Sequence, residues 1–317
     1  MKTAFPYVTL FVLLLFLQSC KEIPEKETLK QQHNAIDSIQ TKQDVYKLLM
    51  QIDPDHYKHY TISDTLKFEN KICQQTKDSL HLKPWVKADF DQNGLTDILI
   101  TLDSYTPYII CLLDQGNRKY QTSVINLNLF PSCVLADVKF NDHHIPVIQY
   151  YYKPFYFDHK NKADQLAYKT LIYRFGDFIE ENDKPSHHTI EKIEFDSGPC
   201  FGSCPIYKLS IHADKSAIWT AEEYNKINNK EIKGTYKTIL TDEKYKELVL
   251  LLNYIDFEKL KDTYSIPWSD DKTYDLKITY ANGKTKTISD YGGVGTYGLK
   301  KVYKLLSELR ENQKWEK

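Results

Sequence analysis

The 317-residue chain carries almost no net charge and no basic block: 42 Lys and Arg stand against 43 Asp and Glu, a formal charge of −1. No Arg-rich stripe runs along any segment, so the electrostatic footprint of nucleic-acid binding is missing and no nucleic-acid partner is expected. The one sustained apolar run, Ala4 to Leu17, falls short of the roughly 20 residues that a membrane-spanning helix takes. G-x-S-x-G, H-E-x-x-H and a Ser/His/Asp grouping in a supporting context are all missing, which removes the common hydrolase and metalloprotease signatures.

The N-terminus instead fits an export signal. Lys2 supplies a positive start, the apolar run follows, and Leu17-Gln18-Ser19-Cys20 resembles the lipobox of bacterial lipoproteins. That resemblance implies a signal peptide over residues 1–19, lipidation of Cys20, and a mature protein attached to a membrane by acyl chains without spanning it. The alternative is an uncleaved N-terminal anchor with an incidental cysteine. Residues 20–42 are polar and charged, too poor in apolar surface to offset the entropy of ordering, and read as a flexible tether. Lys21 resembles the residue of lipoproteins sent on to the outer membrane, and the acidic residues behind it are similar to surface-export signals of Bacteroidetes lipoproteins. The expected location is the cell envelope, as an outer-membrane lipoprotein facing the periplasm or the surface.

The rest is long enough for two domains. Residues 43–52 have helical spacing and stop before Asp53-Pro54. From Lys71 onward, DILITL, YIICLL, CVLADVKF, IPVIQYYY and AYKTLIYRF are short apolar runs parted by turn residues, and they read as antiparallel strands. Residues 160–165, KNKADQ, read as a polar hairpin turn. A polar stretch with a proline, residues 178–189, marks the expected boundary between a mostly β domain over 43–180 and a second domain over 187–317.

The second half offers four strand candidates, TIEKIEF, IYKLSIH, SAIWTAEE and EIKGTYKTIL. A helix opening at Thr241-Asp242-Glu243 follows, then a hairpin turning at Asn282-Gly283, then a last helix with Val302, Leu305, Leu306 and Leu309 on one face. The expected fold class is α+β: mainly antiparallel sheet, the C-terminal domain having two helices on one face of its sheet. The run Cys200-Phe201-Gly202-Ser203-Cys204-Pro205-Ile206-Tyr207 and the element order after it resemble DUF6438, a family of unknown function, over about residues 187–317. The resemblance identifies a module and implies no activity.

Cys200 and Cys204 admit four readings. A tight turn across Gly202 can bring two Cα atoms to disulfide distance, and an exported protein folds where disulfides persist. A redox pair wants Cys-x-x-Cys at a helix start, whereas this pair leads into a strand. A metal clamp wants four ligands, and the nearby His187, His188 and His212 have no ligand spacing. Unpaired thiols are the fourth reading. The staple is favoured, fixing the shape of a turn and of the surface it presents. Of Cys73, Cys111 and Cys133, two could bridge or all three could be buried and reduced.

Residues 89–97 read D-F-D-Q-N-G-L-T-D. Asp89, Asp91, Asn93, the Leu95 carbonyl and Asp97 follow the ligand order of a calcium loop, with Gly94 at the sharp turn. The glutamate of an EF-hand is missing, and the stretch resembles the loops of FG-GAP-type repeats, in a single copy. A structural Ca2+ site of low affinity is expected; the alternative is a turn that caps itself with its own side chains. Gly293-Val-Gly295-Thr-Tyr-Gly298 spells a dinucleotide fingerprint, but its strand belongs to a hairpin and no parallel strand with an acidic residue follows, so no nucleotide cofactor is expected. Capture of an anion by this loop and helix start, or a flexible connector, are the readings left. Asp270 and Asp271 read as solvated loop residues, and the aromatic run 150–157 as a strand ending at Pro154 or a contact for a glycan or protein.

Two functions follow. The favoured one is a non-enzymatic, envelope-anchored binding or assembly module with an unidentified protein or glycan partner. The other is an envelope enzyme, either a thiol–disulfide oxidoreductase using Cys200 and Cys204 or a hydrolase with an unrecognised site.

Overall fold

The structure is a computed structural model that describes residues 34–103, 107–126, 133–153 and 166–317. Cys20, the signal region, most of the tether, the 160–165 turn and the aromatic residues 154–157 lie outside the described residues.

The expected tether is shorter than its composition suggests. Ile36 and Ile39 are buried in a core, Asn34 donates its side-chain amide to the Thr96 carbonyl at 2.7 Å, and Lys87 donates to the Asp37 carbonyl at 2.9 Å. Two isoleucines suffice to fasten this polar segment down, because each fully buried side chain contributes roughly 1.5–3 kcal/mol. Helix α1 (Lys42–Ile52) then starts at a capping box: Asp44 N–H donates to Thr41 Oγ1, and the Thr41 N–H donates back to the Asp44 carboxylate. A one-turn helix α2 (Pro54–Tyr57) follows, then α3 (Lys71–Leu80), capped by the Asn70 side chain. The sequence pattern suggests strands from Lys71 onward; this first segment is a helix instead, short and with Cys73 its one buried residue.

Two four-stranded antiparallel meanders come next. The first holds β1 (Trp85–Ala88), β2 (Asp97–Leu102), β3 (Tyr108–Asp114) and β4 (Tyr120–Val124); the second holds β5 (Val134–Phe140), β6 (Pro146–Tyr152), β7 (Ala167–Arg174) and β8 (Asp177–Glu180). Facing side chains such as Leu99, Ile109 and Cys111 of the first sheet meet Val134, Ile148 and Leu171 of the second. The alternate residues of β2 and β3, including Ile98, Ile100 and Ile110, pack on Val45, Leu48 and Leu49 of α1. Covered on both faces, these two strands read as continuous apolar runs rather than alternating ones.

The second half contains β9 (Ile190–Ser197), β10 (Ile206–His212), β11 (Ser216–Glu223), the small hairpin β12 (Lys226–Ile227) and β13 (Lys230–Glu231), and β14 (Gly234–Ile239). Helix α4 (Asp242–Tyr254), β15 (Thr263–Ser265), β16 (Thr273–Tyr280), β17 (Lys284–Tyr291) and α5 (Tyr297–Asn312) complete it. Its seven-stranded sheet runs β14-β11-β10-β9-β16-β17-β15, antiparallel except that β15 pairs parallel to β17. EIKGTYKTIL is therefore not one strand: it breaks before Gly234, whose φ is +126°. One face of this sheet (Ile193, Phe195, Leu209, Ile211, Leu276, Ile278) shares a core with Leu248 and Leu252 of α4 and Leu299, Val302 and Leu306 of α5. The molecule is thus mostly antiparallel sheet with a few helices, and the C-terminal helix packs on a sheet, in keeping with an α+β class.

The polar stretch 178–189 is not a free linker. Phe178 and Ile179 are buried in β8, and the segment after it is fastened to α4: the Asn182 N–H and side-chain amide donate to the Tyr254 hydroxyl and carbonyl, and His188 N–H donates to Asn253 Oδ1 at 2.6 Å. Val147, Ile172 and Ile179 from the second sheet belong to the same core as α4 and α5.

Candidate functional site

The acidic loop is the hairpin connection between β1 and β2, closed by the pair Ala88 and Asp97. It brings Asp89, Asp91 and Asp97 together, with one carboxylate oxygen from each inside a circle of 4.8 Å. Backbone donors shape it. Asn93 and Gly94 N–H groups donate to the two oxygens of Asp89 at 3.1 and 2.9 Å, and Phe90 and Asp114 N–H groups donate to those of Asp97, both at 2.8 Å. Gln92 and Gly94 take φ of +59° and +86°, the left-handed turn that the glycine supplies at no steric cost. Asp97 is fully buried, and burial lifts its carboxyl to about 7 against the opposing pull of its two N–H donors. Asp89 is likewise raised, first by burial, with the neighbouring Asp91 charge adding to it. Asn93 turns its amide onto the Asp114 carbonyl at 2.7 Å, and its side-chain oxygen accepts from Leu95 N–H at 2.8 Å. Gln115, which sequence spacing does not connect to this loop, donates to Asp91 Oδ2 at 2.8 Å.

Cys200 and Cys204 lie on the β9–β10 connection and are paired at disulfide distance, with Cα atoms 5.7 Å apart. Both are half-buried. The turn is pinned from outside as well. Gly198 N–H donates to the Thr273 carbonyl and Phe201 N–H to the Asp270 carbonyl, both at 2.9 Å. A Cβ at Gly198 would come 3.3 Å from that Thr273 oxygen. At the tip, Gly202 adopts φ +117° and Phe201 is 87 % exposed. Asp270 thus contributes its backbone to the turn. Asp271 accepts from the Trp268 indole at 3.4 Å, so the adjacent pair serves the loop as structure.

The Gly293–Gly298 connector is fastened by hydrogen bonds, and its helix start is occupied from within. Val294 and Gly295 N–H groups donate to the two oxygens of buried Asp290, at 2.8 and 3.0 Å. The first turn of α5 is filled by an internal carboxylate: Tyr297 and Gly298 N–H groups donate to Glu180 of β8, at 3.1 and 3.0 Å. Lys169 holds the same carboxylate at 2.6 Å. A helix N-terminus is a ready anion site, and here the second sheet supplies the anion. Each glycine has its own cause: a Cβ at Gly295 would strike Asp290 and Leu299, and one at Gly298 would strike Ile255. Tyr297 also donates its hydroxyl to the Ile125 carbonyl, joining α5 to the first sheet. Glu180 and Asp290 carry no motif; only the positions of glycines after a strand hint at a tight approach.

Cys73 and Cys133 form the second pair at disulfide distance, Cα atoms 5.9 Å apart, in a core with Leu66, Leu82 and Leu135. Cys111 is free and buried, and burial pushes its thiol well up, away from reactivity.

Residues 191–310 match the family described as Domain of unknown function (DUF6438), the part of the chain that contains the stapled turn, the glycine-rich connector and most of α5. No curated protein matches the chain.

Proposed function

We propose that this chain is an envelope-anchored lipoprotein whose folded part is a non-enzymatic binding module, and that it meets a protein partner through the stapled turn of its third sheet. The observation that carries this is Phe201, 87 % exposed at the tip of a turn closed by Cys200 and Cys204 and hydrogen-bonded to a second loop. A large apolar side chain on a preorganised loop loses little further freedom on association, which is what an interface anchor requires. The anchor reading rests on Cys20 and the signal-like residues before it, with the outer membrane as the expected site of attachment.

Calcium braces the opposite half in this reading. Three carboxylates crowded into one loop, one of them fully buried, suit a hard divalent cation with oxygen ligands. Asp89, Asp91 and Asp97 would hold it, with modest affinity, and its role is structural.

The test is cross-linking from intact cells with the full chain and its Phe201→Ala variant. A protein captured by the former and lost in the latter supports the module; equal capture by both removes Phe201 from the contact, and a captured glycan would shift the partner class. Thiol–disulfide exchange is the second reading, favoured by the half-exposure of the two cysteines. Alkylation followed by intact mass separates the two: labelling of Cys200 and Cys204 in the folded protein after mild reductant supports exchange, and protection until denaturation supports the staple.

A further inference from the structure

The seven-stranded sheet ends at β14, and residues 313–317 lie against that edge. After α5 the backbone turns extended at Gln313 (φ −113°, ψ 156°). Lys237 N–H then donates to the Glu316 carbonyl at 2.7 Å, and Glu316 N–H to the Lys237 carbonyl at 2.9 Å, one antiparallel pair. The residue before it faces the core. The Trp315 ring lies 5.5 Å from that of buried Trp219, itself 5.3 Å from Tyr236, and the Trp315 indole donates to the Leu309 carbonyl at 3.0 Å. This strap is a short added strand with the usual period of two: an aromatic ring on the core side, then an acidic residue opposite Lys237 on the open side.

The strap covers little of the edge. Pairing with β11 turns the N–H and C=O groups of Tyr236 and Thr238 inward, so those of Thr235, Lys237 and Ile239 face out. Among the described residues, Lys237 alone of these three has a backbone partner there. In the same register Ile239 would face residue 314, but α5 runs to Asn312 and the chain has not yet reached the edge at that point. Ile239 is accordingly 74 % exposed, and Thr235 is exposed at the other end. Unpaired edge groups beside a bare isoleucine form a template for another strand. Lys233 and Lys237, both exposed and without an ion pair among the described residues, give the template a positive sign.

We propose that the β14 edge is a docking site for an extended strand of a partner protein, one carrying an aromatic residue directly before a Glu or Asp, and that residues 313–317 are its built-in competitor. The strap is the stand-in that fixes this chemistry: Trp315 marks the aromatic position and Glu316 the acidic one. A strand not tied to a helix can pair at Thr235, Lys237 and Ile239, where the strap pairs only at Lys237. Those added main-chain bonds are what let it displace a segment held at high effective concentration. The site goes beyond the contact proposed for Phe201 and does not depend on it, since β11 separates β14 from β10, the strand that leaves the stapled turn.

The experiment uses the full chain and a synthetic peptide, Ser-Val-Trp-Glu-Val-Thr-Ser, whose Glu falls opposite Lys237. By hydrogen exchange on the unmodified chain, millimolar peptide is expected to slow the Thr235 and Ile239 amides severalfold and leave the Asn282-Gly283 turn unchanged. By fluorescence anisotropy, Trp315→Ala, which releases the strap, should tighten peptide binding about tenfold. Adding Lys237→Pro removes the outward N–H while suiting an edge strand, and should abolish the gain. A peptide with Lys in place of Glu should bind severalfold more weakly, and Phe201→Ala should leave the affinity as it was, so the two partner contacts are tested apart. Unchanged exchange at Thr235 and Ile239 overturns the proposal, as does binding that survives Lys237→Pro or ignores the acidic residue. Self-association of Trp315→Ala that the peptide does not dissolve assigns the edge to a second copy and overturns it too. The exchange arm needs no variant, so it decides the matter even where a variant fails to fold.

Discussion

The two disulfides differ in what they enclose, and removing each should reveal it. Cys73 and Cys133 are separated by 60 positions, and the loop they close contains the whole first sheet; Cys200 and Cys204 are separated by 4. In the chain-entropy account a cross-link stabilises by restricting the unfolded chain, with a term that grows as the logarithm of loop length, giving about 4 kcal/mol for the first and about 2 kcal/mol for the second. The first pair is also fully buried, so replacement by alanine leaves unfilled space beside Leu66, Leu82 and Leu135, while the second is half-exposed and leaves none. Urea unfolding of the full chain, followed by circular dichroism, should therefore show Cys73→Ala/Cys133→Ala losing at least about 2 kcal/mol more than Cys200→Ala/Cys204→Ala. The short staple should instead show itself in binding, by loosening the turn that presents Phe201. Equal losses from the two double variants, or a larger loss from the 200–204 pair, would refute the loop-length reasoning and assign that turn a part in global stability.

Other outcomes can be checked in parallel. Glu180→Ala leaves the N–H groups of Tyr297 and Gly298 without their acceptor and should cost about 2 kcal/mol in the same urea assay, more than Glu180→Gln, which keeps one acceptor oxygen. Gly298→Ala drives a methyl group into Ile255 and should cost about 1–3 kcal/mol, whereas Gly283→Ala meets no neighbour and pays only for its left-handed backbone, about 1 kcal/mol. Millimolar Ca2+ should raise the melting temperature of the wild type and not that of Asp89→Asn/Asp91→Asn; an equal rise in both would remove the cation from this loop. Lys272 gives a pH signature. Its folded pKa of about 8 lies below the ordinary 10.5, so between those values the unfolded chain binds more protons and stability rises with pH. Lys272→Gln should flatten that rise, measured as the difference between wild type and variant from pH 8 to pH 10.5.

Local signals are legible where they are self-contained. Asn282-Gly283 announces the β16–β17 hairpin, Thr241 with its acidic followers marks the start of α4, and Cys200-x-Gly-x-Cys204 points to a stapled turn. Elements that depend on partners far along the chain are not legible. α3 buries only Cys73 and is mostly polar, with Ile72, Cys73 and Leu80 its apolar residues, and its purpose, a bridge to Cys133, lies 60 positions away. Ile36 and Ile39 vanish in a compositional average that makes their segment look like a tether. The glycine-rich connector is the hardest case: its glycines are required by Asp290, Leu299 and Ile255, and its helix start by Glu180, none of which a motif contains. In the acidic loop, spacing indicates the three aspartates, while the supports from Asp114 and Gln115 come from the next hairpin.

The bond from the Tyr297 hydroxyl to the Ile125 carbonyl spans 172 positions, and that of Gly298 to Glu180 spans 118. Contacts of such separation form late, because the intervening chain must be ordered before they are rewarded. During synthesis the two meanders emerge long before α5, with the Ile125 carbonyl and the Glu180 carboxylate still waiting for it. Until residue 297 arrives, Val147, Ile172 and Ile179 remain an uncovered apolar face, the kind of surface on which chaperones act. The last helix is in that sense a closing key: the first half of the protein finishes folding only when the second half is nearly complete.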